Sequence, residues 1–343
     1  MKSRCLNVLL LLLIAIPGSS HEPDSAIRNL VFEGAGIRGI AYAGVIESLE
    51  GAGIMSNIER VGGTSAGAIT AAMLSVGYSS EEIIEVISKM KLQKFNDGKF
   101  LFIGGISRTR KKFGWYRGEK FAKWMGQVLE QKTGNSDITF RELHEGNYKD
   151  LYVVGTSLSK QKAVILSYET YPEMRVKDAV RISMSIPLYY QAVFVDSVGN
   201  VYKRQNEAKN LDVMVDGGII GNFPIYLFDS TGVDSLGNEI RIPNRQTLGV
   251  RIDSEEQIRN DTLERELAPH NIVSLNDYFT AFYVMVIENL NRVNLTDSDW
   301  SRTISVSAEN ISPKVRKLSK DEKATLINSG RIYTQYYFDK NGN

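Results

Sequence analysis

Two rhythms alternate along this chain: short apolar runs closed by glycine turns, and longer segments with a helical spacing of apolar residues. Asn29 to Glu33 (NLVFE) is a strand-like run, Gly34 to Gly39 a glycine-rich turn, and Ile40 to Glu50 helical in pattern. The order then repeats. Ile58 to Val61 is apolar, Gly62 to Gly67 is a second glycine turn, and Ala68 to Val76 is apolar nearly all round, as a buried helix is. Strand, tight turn and helix twice over predict a doubly wound α/β sheet.

Further along, Glu81 to Met90 and Glu119 to Gln131 follow a helical period, and Phe95 to Gly118, without a clear period, is expected as a long surface loop. Leu151 to Thr156, Ala163 to Tyr168, Val193 to Tyr202 and Val213 to Val215 are strand-like. Lys177 to Ser185 is a helix stopped by Pro187, and Thr247 to Ile252 is expected to be the last strand of the sheet. Two helices, Ser274 to Leu290 and Asp321 to Ser329, follow. No internal repeat is apparent. A boundary near residue 230, in the turn-rich stretch Asp229 to Asn244, divides a domain over 28–230 from a C-terminal extension over 231–343 that completes the fold with mixed strand and helix.

The 343 residues carry a net charge of +1, which falls to −1 without Lys2 and Arg4. That balance argues against a nucleic-acid partner, which calls for a basic excess. Residues 1–20 read as an export signal: a basic start, an apolar run from Leu6 to Ile16, then Pro17, Gly18, Ser19 and Ser20. The run is shorter than the roughly 20 residues of a spanning helix, though an N-terminal anchor is the competing reading. Cleavage near Ser20 would yield a secreted or cell-envelope protein and remove Cys5, the only cysteine, so that neither thiol nor disulfide is left.

Candidate chemistry lies in the turns. Gly63-Thr64-Ser65-Ala66-Gly67 fits G-x-S-x-G, in which a serine on a tight strand-to-helix turn is forced out of the backbone and the flanking glycines leave it room. The helix that follows aims its positive end at charge developing there. Gly34-Ala35-Gly36-Ile37-Arg38-Gly39 supports two readings. As G-x-G-x-x-G it is a dinucleotide fingerprint, with Glu59 where a ribose-binding acid is expected. As a run of small residues it is an oxyanion turn, in which losing one amide donor removes about 2.7–4 kcal/mol of transition-state stabilisation, with Arg38 adding charge or pinning the loop. Of the three histidines, His21, His144 and His270, none stands at an evident strand end, so a histidine base is disfavoured. Asp216, in Val215-Asp216-Gly217-Gly218, ends an apolar strand and is the better partner for Ser65, although alone it would be a plain Asp-Gly turn. No cysteine cluster or H-x-x-x-H spacing suggests a metal, and no cofactor is expected.

With these three turns in this order, the sequence resembles the patatin-like phospholipases over roughly residues 28 to 230, and more weakly the tail of bacterial members over Leu318 to Gly330. The resemblance implies a three-layer α/β sandwich with a mainly parallel central sheet flanked by helices. It implies lipid acyl-ester hydrolysis, of phospholipase A or lysophospholipase type, by a Ser–Asp dyad with no histidine. Ser65 would be the nucleophile in an elbow framed by Gly63 and Gly67, and Asp216 the base, ionised at neutral pH, followed by Gly217 and Gly218. Gly34, Ala35 and Gly36 would form the oxyanion turn with Arg38 at the family's basic position and Gly39 closing it. Ser183 to Pro187 is similar to the family's serine–proline segment. Two departures are Glu33, where aspartate is common, and Ala35, which replaces a glycine and raises the question of a positive φ. An acyltransferase or non-lipid esterase on the same dyad, and a nucleotide-binding or non-catalytic α/β protein, are the alternatives.

A phospholipid or other acyl-ester lipid as substrate would bring transient contact with a membrane surface. Phe95 to Trp115, with Arg108, Arg110, Lys111 and Lys112 among aromatics, suits an anionic surface or else a solvated loop with buried anchors. Tyr278 to Ile287 reads first as core and second as the wall of an acyl groove.

Overall fold

The computed structural model describes residues 27–90, 92–98, 109–110, 112–263, 266–269, 271–292, 295–312 and 316–342. The leader expected over 1–20 lies outside these residues, as do His270, Arg108 and Lys111.

The strands in chain order are β1 Asn29–Phe32, β2 Arg60–Gly63, β3 Gly114–Tyr116, β4 Asp150–Ser157, β5 Lys162–Leu166, β6 Leu188–Tyr190, β7 Val193–Val195, β8 Val201–Tyr202, β9 Asp212–Asp216, β10 Ser230–Val233, β11 Glu239–Ile242, β12 Thr247–Asp253 and β13 Thr303–Ser307. The helices are α1 Ala41–Gly51, α2 Ala66–Ser75, α3 Ser80–Lys89, α4 Glu119–Thr133, α5 Phe140–Glu145, α6 Val176–Ser183, α7 Glu255–Leu263, α8 Leu275–Arg292, α9 Asp297–Ser301 and α10 Lys320–Asn341.

Nine strands form one mixed, mostly parallel sheet in the order β13-β12-β1-β2-β4-β9-β7-β8, with β5 also on β4. The block from β13 to β4 is parallel, and β5, β9, β7 and β8 join antiparallel. Helices flank the sheet, which is why β1 is buried at all four positions and reads as continuous apolar sequence rather than as an alternation. Ser79, Thr139 and Ser319 each start a helix through a reciprocal bond with the glutamate three residues on, the capping box that S/T-x-x-E encodes.

Two features of the sheet place the site. β2 runs parallel to β4 and β9 antiparallel to it, so they approach along β4 from opposite directions. Gly63 ends β2 opposite Val153, and Asp216 ends β9 opposite Gly155. Gly63 and Asp216, distant in sequence, thereby arrive opposite positions only two residues apart along one strand.

Several expectations change. Thr247–Asp253 is not the last strand: β13 pairs beyond it, buried between the sheet and α10, because Thr303 to Ser307 is too short and mixed to stand out alone. Val193 to Tyr202 is not one strand but β7 and β8, folded back at Asp196, whose carboxylate accepts from the amides of Val198 and Asn200. The loop expected over Phe95 to Gly118 contains β3, paired with β6, and Phe95 and Asp97 are buried. The helix expected to end at Ser329 continues to Asn341. Core burial was the first reading of Tyr278 to Ile287, yet Tyr278, Phe282, Met285 and Val286 are all exposed. Helical spacing reports that residues share a face, not whether anything covers it.

Candidate active site

Ser65 sits at φ 51°, ψ −114°, a sparsely populated conformation for a residue with a side chain, which costs on the order of 1–3 kcal/mol and persists only where the surroundings enforce it. Here they do. The Ser65 amide donates to Ser183 Oγ at 2.9 Å, and Ser183 in turn donates to the Val154 carbonyl at 2.6 Å. Thr64 donates to the Gly221 carbonyl at 2.6 Å, and the Gly67 amide to the Thr64 carbonyl at 2.8 Å. A β-carbon on Gly67 would lie 2.3 Å from the Phe32 carbonyl oxygen, and one on Gly63 2.7 Å from the backbone of Gly67. Those contacts are the reason for glycine on both sides. Ser65 precedes α2 without capping it, so its hydroxyl stays available and the helix amides point toward it.

Asp216 ends β9 buried, its amide donating to the Ser185 carbonyl at 3.0 Å. One carboxylate oxygen accepts from the Gly218 amide at 2.7 Å, and the Ser65 side chain lies near enough to the carboxylate to favour its ionised form. Burial raises its pKa to about 7, against a smaller downward pull from the Gly218 amide and the Ser65 hydroxyl. Full ionisation at neutral pH, as the sequence suggested, is therefore corrected: near pH 7 the group is part protonated. Gly217 allows the chain to turn here, since a β-carbon would lie 2.3 Å from the Val154 carbonyl oxygen.

The Gly34 turn lies against this pair, with a β-carbon on Gly34 falling 3.5 Å from that of Ser65. The Gly34 amide is already engaged by the Asn222 carbonyl at 3.0 Å. Among the described residues the amides of Ala35 and Gly36 have no acceptor, which makes them the available donors of this turn. Ala35 sits at φ −125°, so replacing glycine there introduces no strain, and Gly36 at φ 57° is the position that needs glycine. Arg38 Nε donates back to the Ala35 carbonyl at 3.3 Å, pinning the loop. A β-carbon on Gly39 would come within 2.9 Å of that of Ala66, so this glycine lets the turn rest on the start of α2.

Beneath the turn lies a buried ionic cluster with no sequence signal. Glu33 accepts from Asn222 Nδ2 at 3.3 Å and the Ile252 amide at 3.1 Å, and burial pushes its carboxyl up to about 7. Arg251 lies 3.9 Å from Glu33 and pairs with Asp253 and with Asp261, which also receives Arg292. Such groups stay charged in a core only when mutually paired.

The remaining candidates fall elsewhere. His144 is half exposed, bonded to Asp150 at 2.7 Å and stacked on Tyr168. Asp150 starts β4, whereas Asp216 lies opposite Gly155 near its other end. Glu59 precedes β2, at the end of the parallel block remote from the Gly34 turn, and pairs with Arg28. That position is unsuited to a ribose-binding acid. Ser183 stood out in sequence without a role. Asn222 gave no sign, its partners being supplied by distant segments.

The family model described as patatin-like phospholipase matches residues 30–229. The protein YqhO of Bacillus subtilis (strain 168) is 27% identical over 317 residues, covering 90% of this chain and 96% of its own. Probable lipid hydrolase 463L of Invertebrate iridescent virus 6 is 29% identical over 199 residues, covering 58% of this chain and 62% of its own. Among solved structures, VipD from Legionella pneumophila is similar with a TM-score of 0.59 at 15% identity, covering 92% of this chain and 67% of that one, a likeness of fold.

Proposed function

From its membership of the patatin-like phospholipase family, to which the chain belongs, we propose that it hydrolyses acyl-ester lipids of the phospholipid or lysophospholipid type through Ser65 and Asp216. The observation that carries this is the strained Ser65 held with its hydroxyl against a buried carboxylate, beside a turn with two unused amides.

Asp216 accepts the Ser65 proton as Oγ bonds to the ester carbonyl carbon, and the oxyanion forms against the Ala35 and Gly36 amides. The carbon–oxygen bond to the alcohol or lysolipid breaks, and the leaving oxygen takes that proton back from Asp216. Water then attacks the acyl-enzyme, losing its proton to Asp216, and Ser65 is released with its proton restored. A carboxylate is a weak base for a serine hydroxyl, so positioning and the oxyanion donors supply most of the rate. The test is release of fatty acid from phospholipid and lysophospholipid vesicles in EDTA. Acid is expected from the wild type. Inertness on every acyl ester would sink the proposal, and transfer of labelled acyl groups to an added alcohol in preference to water would make the protein an acyltransferase.

Only the ionised form of Asp216 can accept the Ser65 proton. Because burial raises its pKa to about 7, kcat/KM is expected to climb tenfold per pH unit below about 7 and level off above it. A profile flat from pH 5 to 8 would be incompatible with Asp216 as the base.

Membrane contact is the second part of the proposal. Leu275, Tyr278, Phe282, Met285 and Leu290 follow helical spacing along α8, and each is at least half exposed. An apolar face left in water suits insertion at a lipid interface. Near its C-terminal end the same helix bonds the turn after Asp216, so the face adjoins the site. Phe282→Ser with Met285→Ser is expected to lower vesicle binding about tenfold in flotation. Unchanged binding would remove α8 from the membrane contact.

A further inference from the structure

Resting on that reading of the site, we infer that Asn291 is a positioning residue, which seats the oxyanion turn and the turn after Asp216 on one amide side chain. It lies in the last turn of α8, beyond the residues matched by the family model. Its Oδ1 accepts from the Asn222 amide, and its Nδ2 donates to the Gly218 carbonyl at 3.1 Å and to the Ile287 carbonyl of its own helix at 2.7 Å.

Each of the first two bonds continues into the site. Asn222 grips Gly34 twice, its carbonyl accepting from the Gly34 amide at 3.0 Å and its Nδ2 donating to the Gly34 carbonyl at 3.2 Å. That grip sets where the following amides of Ala35 and Gly36 point. Gly218 sends its own amide to the Asp216 carboxylate at 2.7 Å. Asn291 thus reaches the oxyanion donors through Asn222 and the base through Gly218.

The packing around these bonds is close. A β-carbon on Gly34 would lie 2.3 Å from Asn222 Oδ1, and one on Gly218 3.0 Å from the same atom, so both turns lie directly against this side chain. Asn291 itself bonds neither Ser65 nor Asp216, and its effect is therefore one of placement. Displacing reacting groups by about 1 Å can lower a rate about a hundredfold.

The experiment compares wild type, Asn291→Ala and Asn289→Ala on a soluble short-chain ester, which removes vesicle binding from the measurement. Asn289 is the control: it sits on the same helix, is exposed, and also bonds the carbonyl four residues back, at Met285. Asn291→Ala is expected to lower kcat about 10- to 100-fold, with KM within about twofold of wild type and the circular dichroism spectrum unchanged. Asn289→Ala is expected to match wild type. A third variant, Asn291→Asp, keeps the acceptor for Asn222 but loses the donor to Gly218, and places a negative charge beside the base. Its pH–rate limb is expected to move upward, which a general loss of stability would not produce. If Asn291→Ala retains wild-type kcat, the positioning role is overturned while hydrolysis stands. If it falls no further than Asn289→Ala, the effect belongs to the helix and the inference is likewise overturned. A wild type that cleaves no ester overturns both readings together.

Discussion

Asp216→Asn is expected to lower kcat/KM on an acyl-ester lipid by about 10,000-fold and, at the same time, to raise the melting temperature at pH 8. The loss follows, on the proposed mechanism, from removing the group that among the described residues is placed to take the Ser65 proton, and Ser65→Ala is expected to lose at least as much. The gain follows from burial. In the folded protein the carboxyl has a pKa of about 7 against an ordinary 3.8, so between those values the folded state holds a proton that the unfolded state has released. Stability contributed by this group therefore falls as pH rises from about 4 to about 7, and the penalty is fully present above that. Asparagine cannot ionise, and its carbonyl can still accept from the Gly218 amide. The stabilisation of Asp216→Asn over wild type should be greatest at pH 8 and shrink toward pH 4. Melting curves across that range decide it. A gap that widens as pH falls would mean that the carboxylate is stabilised by its surroundings, contrary to the burial argument.

Gly44→Ala is expected to destabilise the protein by about 3 kcal/mol, at the upper end of what overpacking costs, although it adds a single carbon. α1 and α10 pack backbone to backbone. A β-carbon on Gly44 would lie 1.9 Å from the Ile327 carbonyl oxygen, and one on Gly330 2.2 Å from that of Ala41. Neither obstacle is a flexible side chain, so one helix must move. α10 packs on β13 as well as on α1, so a shift there strains the edge of the sheet. Gly51→Ala, at the end of the same helix with nothing within 4 Å, serves as control and is expected to be neutral or slightly stabilising. Melting temperature should fall by several degrees for Gly44→Ala. Equal melting of the two variants would mean that α10 does not lie against α1 as described. The C-terminal helix is thus tied to the first helix of the chain by two glycines whose close packing had no local signal in the sequence.

The sequence by itself determined the local grammar. Apolar runs followed by Gly34 to Gly39 and Gly62 to Gly67 were enough to place two strand–turn–helix units, because a buried strand must be apolar and a turn this tight excludes side chains. The same grammar marked Ser65, in a turn just past a strand with glycines two residues to either side, and Asp216, at a strand end before two glycines, and made the resemblance to the family legible. Where the signal was short or double-sided, it failed. β13 has five residues of mixed character, and the face of α8 has the same spacing whether it is covered or exposed.

What only the tertiary structure decided are the relations between distant segments. β2 and β9 ending toward each other on β4 brings Ser65 to Asp216. Ser183 buttresses the elbow across 118 residues, and Asn291 reaches the turn after Asp216 across 73. The protonation of Asp216 near neutral pH belongs here too, since an aspartate has the same intrinsic acidity anywhere in a sequence and only its loss of water raises the pKa. Local residue choice fixes backbone shape over a few residues, whereas partners, burial and pKa depend on which segments the fold brings alongside.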